Sequence, residues 1–125
     1  MKKKWDVIYY ESESGECPVK EFIGEKTVNN QQKIASIISY LQEQGVNLPR
    51  PYADYLRDGI YELRVKLSGD ETRTLYFFCF ENYIILTHTF SKKSDKVPVS
   101  EIKKALKYKE DFLSRYSNTT IKDLL

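Results

Sequence analysis

The sequence contains few of the residues on which metal sites and covalent cross-links depend. Of its 125 residues, two are cysteine and one is histidine. Cys17 and Cys79 form no C-x-x-C motif and belong to no Cys/His cluster, which argues against structural zinc and against a disulfide scaffold. His88 has no second histidine to work with as an acid–base pair. We therefore expect no metal ion and no small-molecule cofactor.

Long apolar segments are also missing. The longest apolar run, residues 75–80, is far too short to span a bilayer. The lysines at the N-terminus are not followed by an apolar stretch, so this segment does not have the pattern of a signal peptide. We expect a cytoplasmic protein that does not contact a membrane.

A strong charge imbalance is absent as well. The chain has 20 basic and 18 acidic side chains and a formal net charge of +2. Strong non-specific nucleic-acid binders usually carry a larger excess, so any such function must rest on local placement of charge. The composition is 41% hydrophobic and includes ten tyrosines, which favours one globular domain.

The first half of the chain predicts one strand and two helices. Residues 5–10 are β-prone, and Pro18 suits the first turn of a short helix. Apolar residues at spacings of three and four predict a longer helix over residues 27–44. Thr27 is a plausible N-cap for it, and Gly45 is a natural stop.

The second half predicts a three-stranded antiparallel meander. Residues 47–51 contain two prolines and are expected to be a connecting loop. Residues 59–67 alternate between apolar and polar, as in a half-buried strand, and residues 68–71 form a hairpin loop. The next strands, residues 72–80 and 83–90, are nearly continuously apolar, which indicates central, well-covered positions.

A final amphipathic helix is predicted to open at Pro98. The tail, residues 117–125, could be a loose terminus, a short docked helix or a partner contact. The order β-α-α-β-β-β-α predicts an α+β domain over residues 1–116. Its two layers would be a mainly antiparallel sheet and helices packed on one face, with the other face open to a ligand.

Four segments together resemble a known family. Residues 58–64, 73–77, 86–94 and 98–105 are similar, in this order, to the HigB-like, phage-derived branch of the RelE/ParE superfamily of toxins. The resemblance implies a RelE-like fold and a cognate antitoxin, typically a helix-turn-helix protein. It also implies action on the ribosome and messenger RNA, since most relatives in this branch are ribosome-dependent messenger RNA endonucleases.

Metal-independent RNA cleavage needs proton transfer at the 2′-hydroxyl and the leaving oxygen, and cations around the phosphate. Arginine suits the phosphate role because its planar fork stays charged. Guided by the resemblance, we predict a catalytic set and an RNA-binding set, which overlap. The catalytic set is Arg64, Arg73, Lys92, Lys93 and His88. The RNA-binding set adds Lys66, Tyr76 and Lys96 to Arg64, Arg73, Lys92 and Lys93.

Each of these residues also has a purely structural interpretation. Arg64 could pair with Glu62, its neighbour on the same face of the strand, and the lysines could be a solvated loop. A lone histidine in an apolar strand is more often packed than catalytic. If the hairpin is symmetric about residues 69–70, Arg73 lies nearest Leu67 or Lys66 and not opposite Arg64.

Two other functions remain open at this point. A ParE-like inhibitor of DNA gyrase would bind its target and need no phosphate-cleaving residues. A non-catalytic member would bind its antitoxin and help to regulate the operon. Fold likeness alone does not separate these functions from RNA cleavage.

Overall fold

In the computed structural model, which describes residues 4–125, the chain forms a five-stranded mixed sheet with three α-helices. The predicted α+β class is confirmed. The first lysines used in the signal-peptide argument lie outside the described residues. In chain order the elements are β1 (Asp6–Tyr9), α1 (Pro18–Gly24), α2 (Val28–Gln44), β2 (Ala53–Arg57), β3 (Ile60–Leu67), β4 (Asp70–Cys79), β5 (Tyr83–Ser91) and α3 (Val99–Arg115).

The sheet has the strand order β1-β5-β4-β3-β2. β2 to β5 form an antiparallel meander, and β1 pairs with β5 in parallel. β1 and β2 are therefore the two edge strands. β2 pairs only with the first half of β3, so the polar second half of β3 and the start of β4 extend beyond it. The candidate site lies at this end of the sheet.

The long helix α2 begins and ends where its capping residues predict. The side chain of Thr27 accepts a hydrogen bond from the backbone N–H of Asn30. Gly45 ends the helix with φ +54°, a conformation that glycine adopts without steric cost. A Cβ on Gly45 would also overlap the indole ring of Trp5.

The expectation that all helices pack on one face of the sheet is wrong. Alternate strand residues enter two separate apolar clusters, one against α1 and α2 and the other against α3. Leu63 and Tyr76 belong to the first cluster, while Leu75 and Phe77 belong to the second. Both faces of the central strands are covered because β4 and β5 are apolar on both sides.

The C-terminal tail docks on the α3 side of the sheet. Its short 3-10 helix, Ile121–Leu124, places Ile121 fully buried in the same cluster as Phe112. Of the three alternatives for the tail, the short docked helix is the one observed.

The sequence predicts only a connection between residue 51 and the next strand, but the structure has the edge strand β2 there. It is a five-residue edge strand in which buried Ala53 is followed by partly or fully exposed residues. Edge strands are often short and charged, so they lack the alternation by which a half-buried strand is recognised.

The predicted register of the β3–β4 hairpin is also wrong. Leu67 pairs with Asp70, so only Ser68 and Gly69 form the loop, and the partner of Arg73 is Arg64. A two-residue connection is the tightest hairpin loop, and Gly69 supplies its positive φ of +71°. The shorter loop moves the partner of Arg73 by two residues, from Lys66 to Arg64.

Candidate functional site

The centre of the candidate site is a carboxylate between two cross-strand arginines. Arg64 and Arg73 are direct partners in the β3–β4 ladder. Oε1 of Glu62 lies 2.8 Å from Nε of Arg73 and 3.4 Å from Nε of Arg64. The side chains of Arg73 and Glu62 are only 8% and 7% exposed. Arg73 also donates from Nη1 to the carbonyl of Thr72, so its guanidinium is fixed in the interior.

The ion pairs continue outward to the edge strand β2. Nη2 of Arg64 lies 3.4 Å from Oδ2 of Asp54, and Nη2 of Arg50 lies 2.9 Å from the same oxygen. We call the five residues Arg73, Glu62, Arg64, Asp54 and Arg50 the arginine–carboxylate row. The side chain of Arg64 is 31% exposed and its two contacts are long, so a phosphate can reach Arg64 but not Arg73.

A groove of about 470 Å³ runs along the edge of β3 beyond the N-terminal end of β2. Its walls come from α2, the segment before β2, the edge of β3 and the residues beyond β5. Five cationic side chains and one carboxylate line it: Lys33, Arg64, Lys66, Arg73, Lys92 and Glu71. The apolar part of the lining is Ile37, Pro51, Tyr52 and Val65. We call this space the β3-edge groove.

A second groove, of about 380 Å³, continues from the first past the end of β5. Arg73 and Lys92 line both grooves, and the backbone N–H of Lys92 donates to the carbonyl of Glu71. Lys93 and Lys96 are exposed and line only the second groove. The structure therefore brings the predicted arginines and lysines to one end of the sheet.

Tyr76 does not share this surface. It lies on the α2 side of the sheet, 1% exposed, with its ring stacked at 5.4 Å on Tyr61. Burial raises its pKa. The proposal that Tyr76 binds RNA is therefore wrong, because no base can reach a ring in the core.

His88 is also enclosed, at 2% exposure. Its Nε2 lies 3.0 Å from Oε1 of Glu101, and its Nδ1 lies 3.0 Å from Oγ1 of Thr87. Burial lowers the pKa of His88, the bond to Glu101 opposes that change, and Lys104 adds to it. The imidazole links β5 to α3. Because both ring nitrogens are enclosed and hydrogen-bonded, neither can take a proton from a substrate.

Arg115 and Tyr116, at the C-terminal end of α3, lie at the β1 edge of the sheet, opposite the edge that carries the candidate site. Nη2 of Arg115 is 2.7 Å from Oδ2 of Asp111 and donates to the carbonyl of Glu11 at 2.6 Å. The hydroxyl of Tyr10 donates to the same carboxylate at 2.6 Å. Burial, and then the bond to Asp111, raise the pKa of Tyr10 to about 12. These contacts link α3 to the segment after β1. None of these residues lines either groove.

The sequence offers Glu62 only as a structural alternative, and it does not single out several other polar residues of the site: Arg50, Tyr52, Asp54, Lys33 and Glu71. The sequence suggests Glu62 only as an exposed partner of Arg64. Asp54 and Tyr52 lie in and beside the edge strand β2, which the sequence does not predict. An Asp within a short exposed strand and a Tyr just before that strand carry no signal of their own. Only the register that places Arg73 beside Arg64 reveals that Glu62 is shared between them.

Among residues 4–125, no group of three or more His, Cys, Asp or Glu side chains is arranged to hold a metal ion. Over the same part of the chain, no helix combines the length and the apolar character that crossing a bilayer requires. Cys17 and Cys79 are buried free thiols.

The sequence matches a known family of proteins. Residues 21–110 match the sequence model of the family described as phage derived protein Gp49-like (DUF891). The matched region runs from α1 into α3 and includes every residue of the arginine–carboxylate row and of the two grooves. No curated protein matches the chain.

Proposed function

The chain belongs to the Gp49-like family of phage-derived proteins, and from this premise we propose that it is the toxin of a type II toxin–antitoxin system that cleaves messenger RNA on the ribosome. The family is consistent with a toxin of such a system. The observation that carries the RNA-directed part is the β3-edge groove, where Arg64 and three lysines are within reach of a ligand and Glu71 is the one carboxylate of the lining. Such an excess attracts a polyanion and releases its counterions.

In this proposal Arg64, Lys66 and Lys92 bind the scissile phosphate. Arg64 is the reachable arginine of the row, and its planar fork matches two phosphate oxygens. Attack by the 2′-hydroxyl on the adjacent phosphorus forms a cyclic phosphate and breaks the bond to the 5′-oxygen. Water in the open groove takes the 2′ proton and returns one to the leaving 5′-oxygen, while negative charge builds on the phosphate oxygens. Cations held beside that position stabilise the transition state more than the ground state.

Arg73 acts through Glu62 and does not touch the substrate. Its buried guanidinium holds the carboxylate, and the carboxylate in turn orients Arg64. Arg73 and Glu62 are thus positioning residues. His88 is left out of the proton transfers because it is enclosed. The groove stabilises negative charge and orients the phosphate. It can do so because Glu62 and Arg73, packed behind Arg64, hold that side chain in place.

We further propose that the chain works in the cytoplasm with the ribosome and is neutralised by a cognate antitoxin, a small protein with a helix-turn-helix domain. Lys93 and Lys96 in the second groove extend the cationic surface beyond the phosphate site. They suit a salt-sensitive contact with ribosomal RNA.

Controlled expression in bacteria tests this function. Induction of the native chain should stop growth and protein synthesis, and Arg64→Ala should restore growth at equal protein level. Arg57→Ala is the matched control, because Arg57 is an exposed arginine of β2 that pairs with Asp58 and lies outside both grooves. Growth arrest that is equally strong with Arg64→Ala would contradict the proposal.

A binding-type toxin is the second candidate, and the internal ion pairs favour it. Glu62 and Asp54 already neutralise much of the charge on the two arginines, which leaves less for a developing oxyanion. Such a protein would arrest growth with transcripts left intact. Relaxed plasmid DNA after induction would identify gyrase as its target.

A further inference from the structure

We propose that Tyr52 is the platform on which an unpaired base of single-stranded RNA stacks in the β3-edge groove. This inference rests on the proposed action on RNA and names the part of the substrate that the groove recognises. Tyr52 lies in the groove lining and is 39% exposed, so part of its surface is available to a ligand. Base–aromatic stacking is a common means of holding single strands.

The backbone of Tyr52 is fixed directly against the phosphate-binding arginine. Its carbonyl accepts a 2.8 Å hydrogen bond from the N–H of Arg64, and its own N–H donates to the carbonyl of Pro49 at 3.0 Å. The rings of Tyr52 and Tyr40 form a T-shaped pair with centroids 5.1 Å apart. A base on Tyr52 and a phosphate on Arg64 would therefore contact two residues whose backbones are hydrogen-bonded to each other.

The groove lining combines an apolar part with a cationic part. Tyr52, Pro51, Ile37 and Val65 provide the apolar surface, and Arg64 and three lysines provide the charge that a ligand can reach. A nucleotide has the same two parts, a flat base and an anionic phosphate. An acidic peptide would use the cations and leave the apolar surface in contact with water, so RNA fits the groove better.

The open edge of β3 adds backbone hydrogen-bonding groups. The N–H of Arg64 points toward β2, where it bonds to Tyr52. Residues two apart in an antiparallel strand direct their N–H groups to the same side. The N–H of Lys66 therefore points into the groove, beyond the end of β2, where it can donate to a base edge or a phosphate.

Calorimetric titration of the purified chain with two RNA probes tests the proposal. The probes are a single-stranded adenylate hexamer and an abasic hexamer with the same ribose-phosphate backbone. Tyr52→Ala should weaken binding of the adenylate hexamer by about tenfold and leave binding of the abasic hexamer unchanged. Tyr52→Phe should bind like the native chain, because it keeps the ring.

Two further variants separate stacking from damage to the fold. Tyr52→Leu keeps an apolar contact with Tyr40 and removes the aromatic face, so it should behave like Tyr52→Ala. Tyr55→Ala is the matched control: Tyr55 is 53% exposed on β2, contacts Tyr61 and lies outside the groove. It should not weaken binding of either hexamer.

The outcomes distinguish this inference from the function on which it rests. If Tyr52→Ala binds both hexamers like the native chain while Arg64→Ala weakens both, the platform is refuted and the phosphate site stands. If the native chain binds neither hexamer, both fail. If a hexaglutamate peptide binds instead and Tyr52→Ala weakens it, the groove serves an acidic protein partner and the RNA platform is wrong.

Discussion

Arg73 and Glu62 form an ion pair in the interior of the sheet, with 2.8 Å between Nε and Oε1. Breaking a buried pair by removing one partner leaves an uncompensated charge and costs about 3–5 kcal/mol. The pair therefore holds the inner end of the arginine–carboxylate row in place. The outer end, at Asp54 and Arg50, is exposed to water and contributes little to stability.

The first prediction follows from that contrast. Glu62→Gln should lower the free energy of unfolding by about 3 kcal/mol or more, because the guanidinium of Arg73 stays buried without its counter-ion. Asp54→Asn, the matched control at the outer end, should cost about 1 kcal/mol or less. Urea denaturation measures both values. Equal losses in the two variants would show that the Arg73–Glu62 pair stabilises the fold no more than the outer ion pairs of Asp54 do.

The second prediction concerns pH. Burial lowers the pKa of His88, so the folded chain resists protonation at a pH where the unfolded chain accepts a proton. Stability should therefore fall as the pH drops below about 6.5, the ordinary value for histidine, by at most about 1.4 kcal/mol per pH unit.

His88→Gln is the variant for this test, because its amide can still donate to Glu101 but does not titrate. Denaturation at pH 7.5 and 5.5 should show a loss of stability in the native chain that is smaller in the variant. The same loss in both proteins would assign the acid sensitivity to other groups.

The third prediction concerns backbone geometry at the end of α2. Gly45→Ala should be destabilising by more than about 1 kcal/mol, because residue 45 has φ +54° and a Cβ would overlap Trp5. Gly24→Ala, at the end of α1, meets no atom within 4 Å and should be neutral or slightly stabilising. Thermal unfolding of the two variants gives the comparison.

The fourth prediction concerns the salt dependence of RNA binding. Each phosphate contact to single-stranded RNA contributes about 0.7 to the slope of log affinity against log salt concentration. Lys92→Ala should reduce the slope by about that amount, since Lys92 lines both grooves. Lys20→Ala removes an exposed lysine of α1 that lines neither groove and should leave the slope unchanged. An unchanged slope for Lys92→Ala would remove this lysine from the phosphate site.

The sequence predicts the fold class and most element boundaries because they depend on local signals. Thr27 and Gly45 bound α2, and the apolar runs of β4 and β5 show that both faces of the central sheet are covered. That apolar content already requires helices on both faces, which the prediction of one open face overlooked.

The arrangement of the candidate site depends on register, and the sequence does not determine register. A loop of two residues or of four residues is compatible with the same turn-forming segment, and the choice decides whether Arg73 faces Arg64. The burial of Glu62 follows from the same choice, since an acidic residue at a polar position of a strand is ordinarily exposed. Strand β2 and Tyr52 escape prediction because exposed edge residues have no hydrophobic pattern.

Mapping of transcript 5′ ends after brief induction tests the central claim most directly. The claim predicts new internal 5′ ends within translated regions with the native chain, and their loss with Arg64→Ala at equal protein level. The Arg57→Ala control should leave the same ends as the native chain. Growth arrest accompanied by intact transcripts would contradict RNA cleavage and leave the grooves as binding surfaces only.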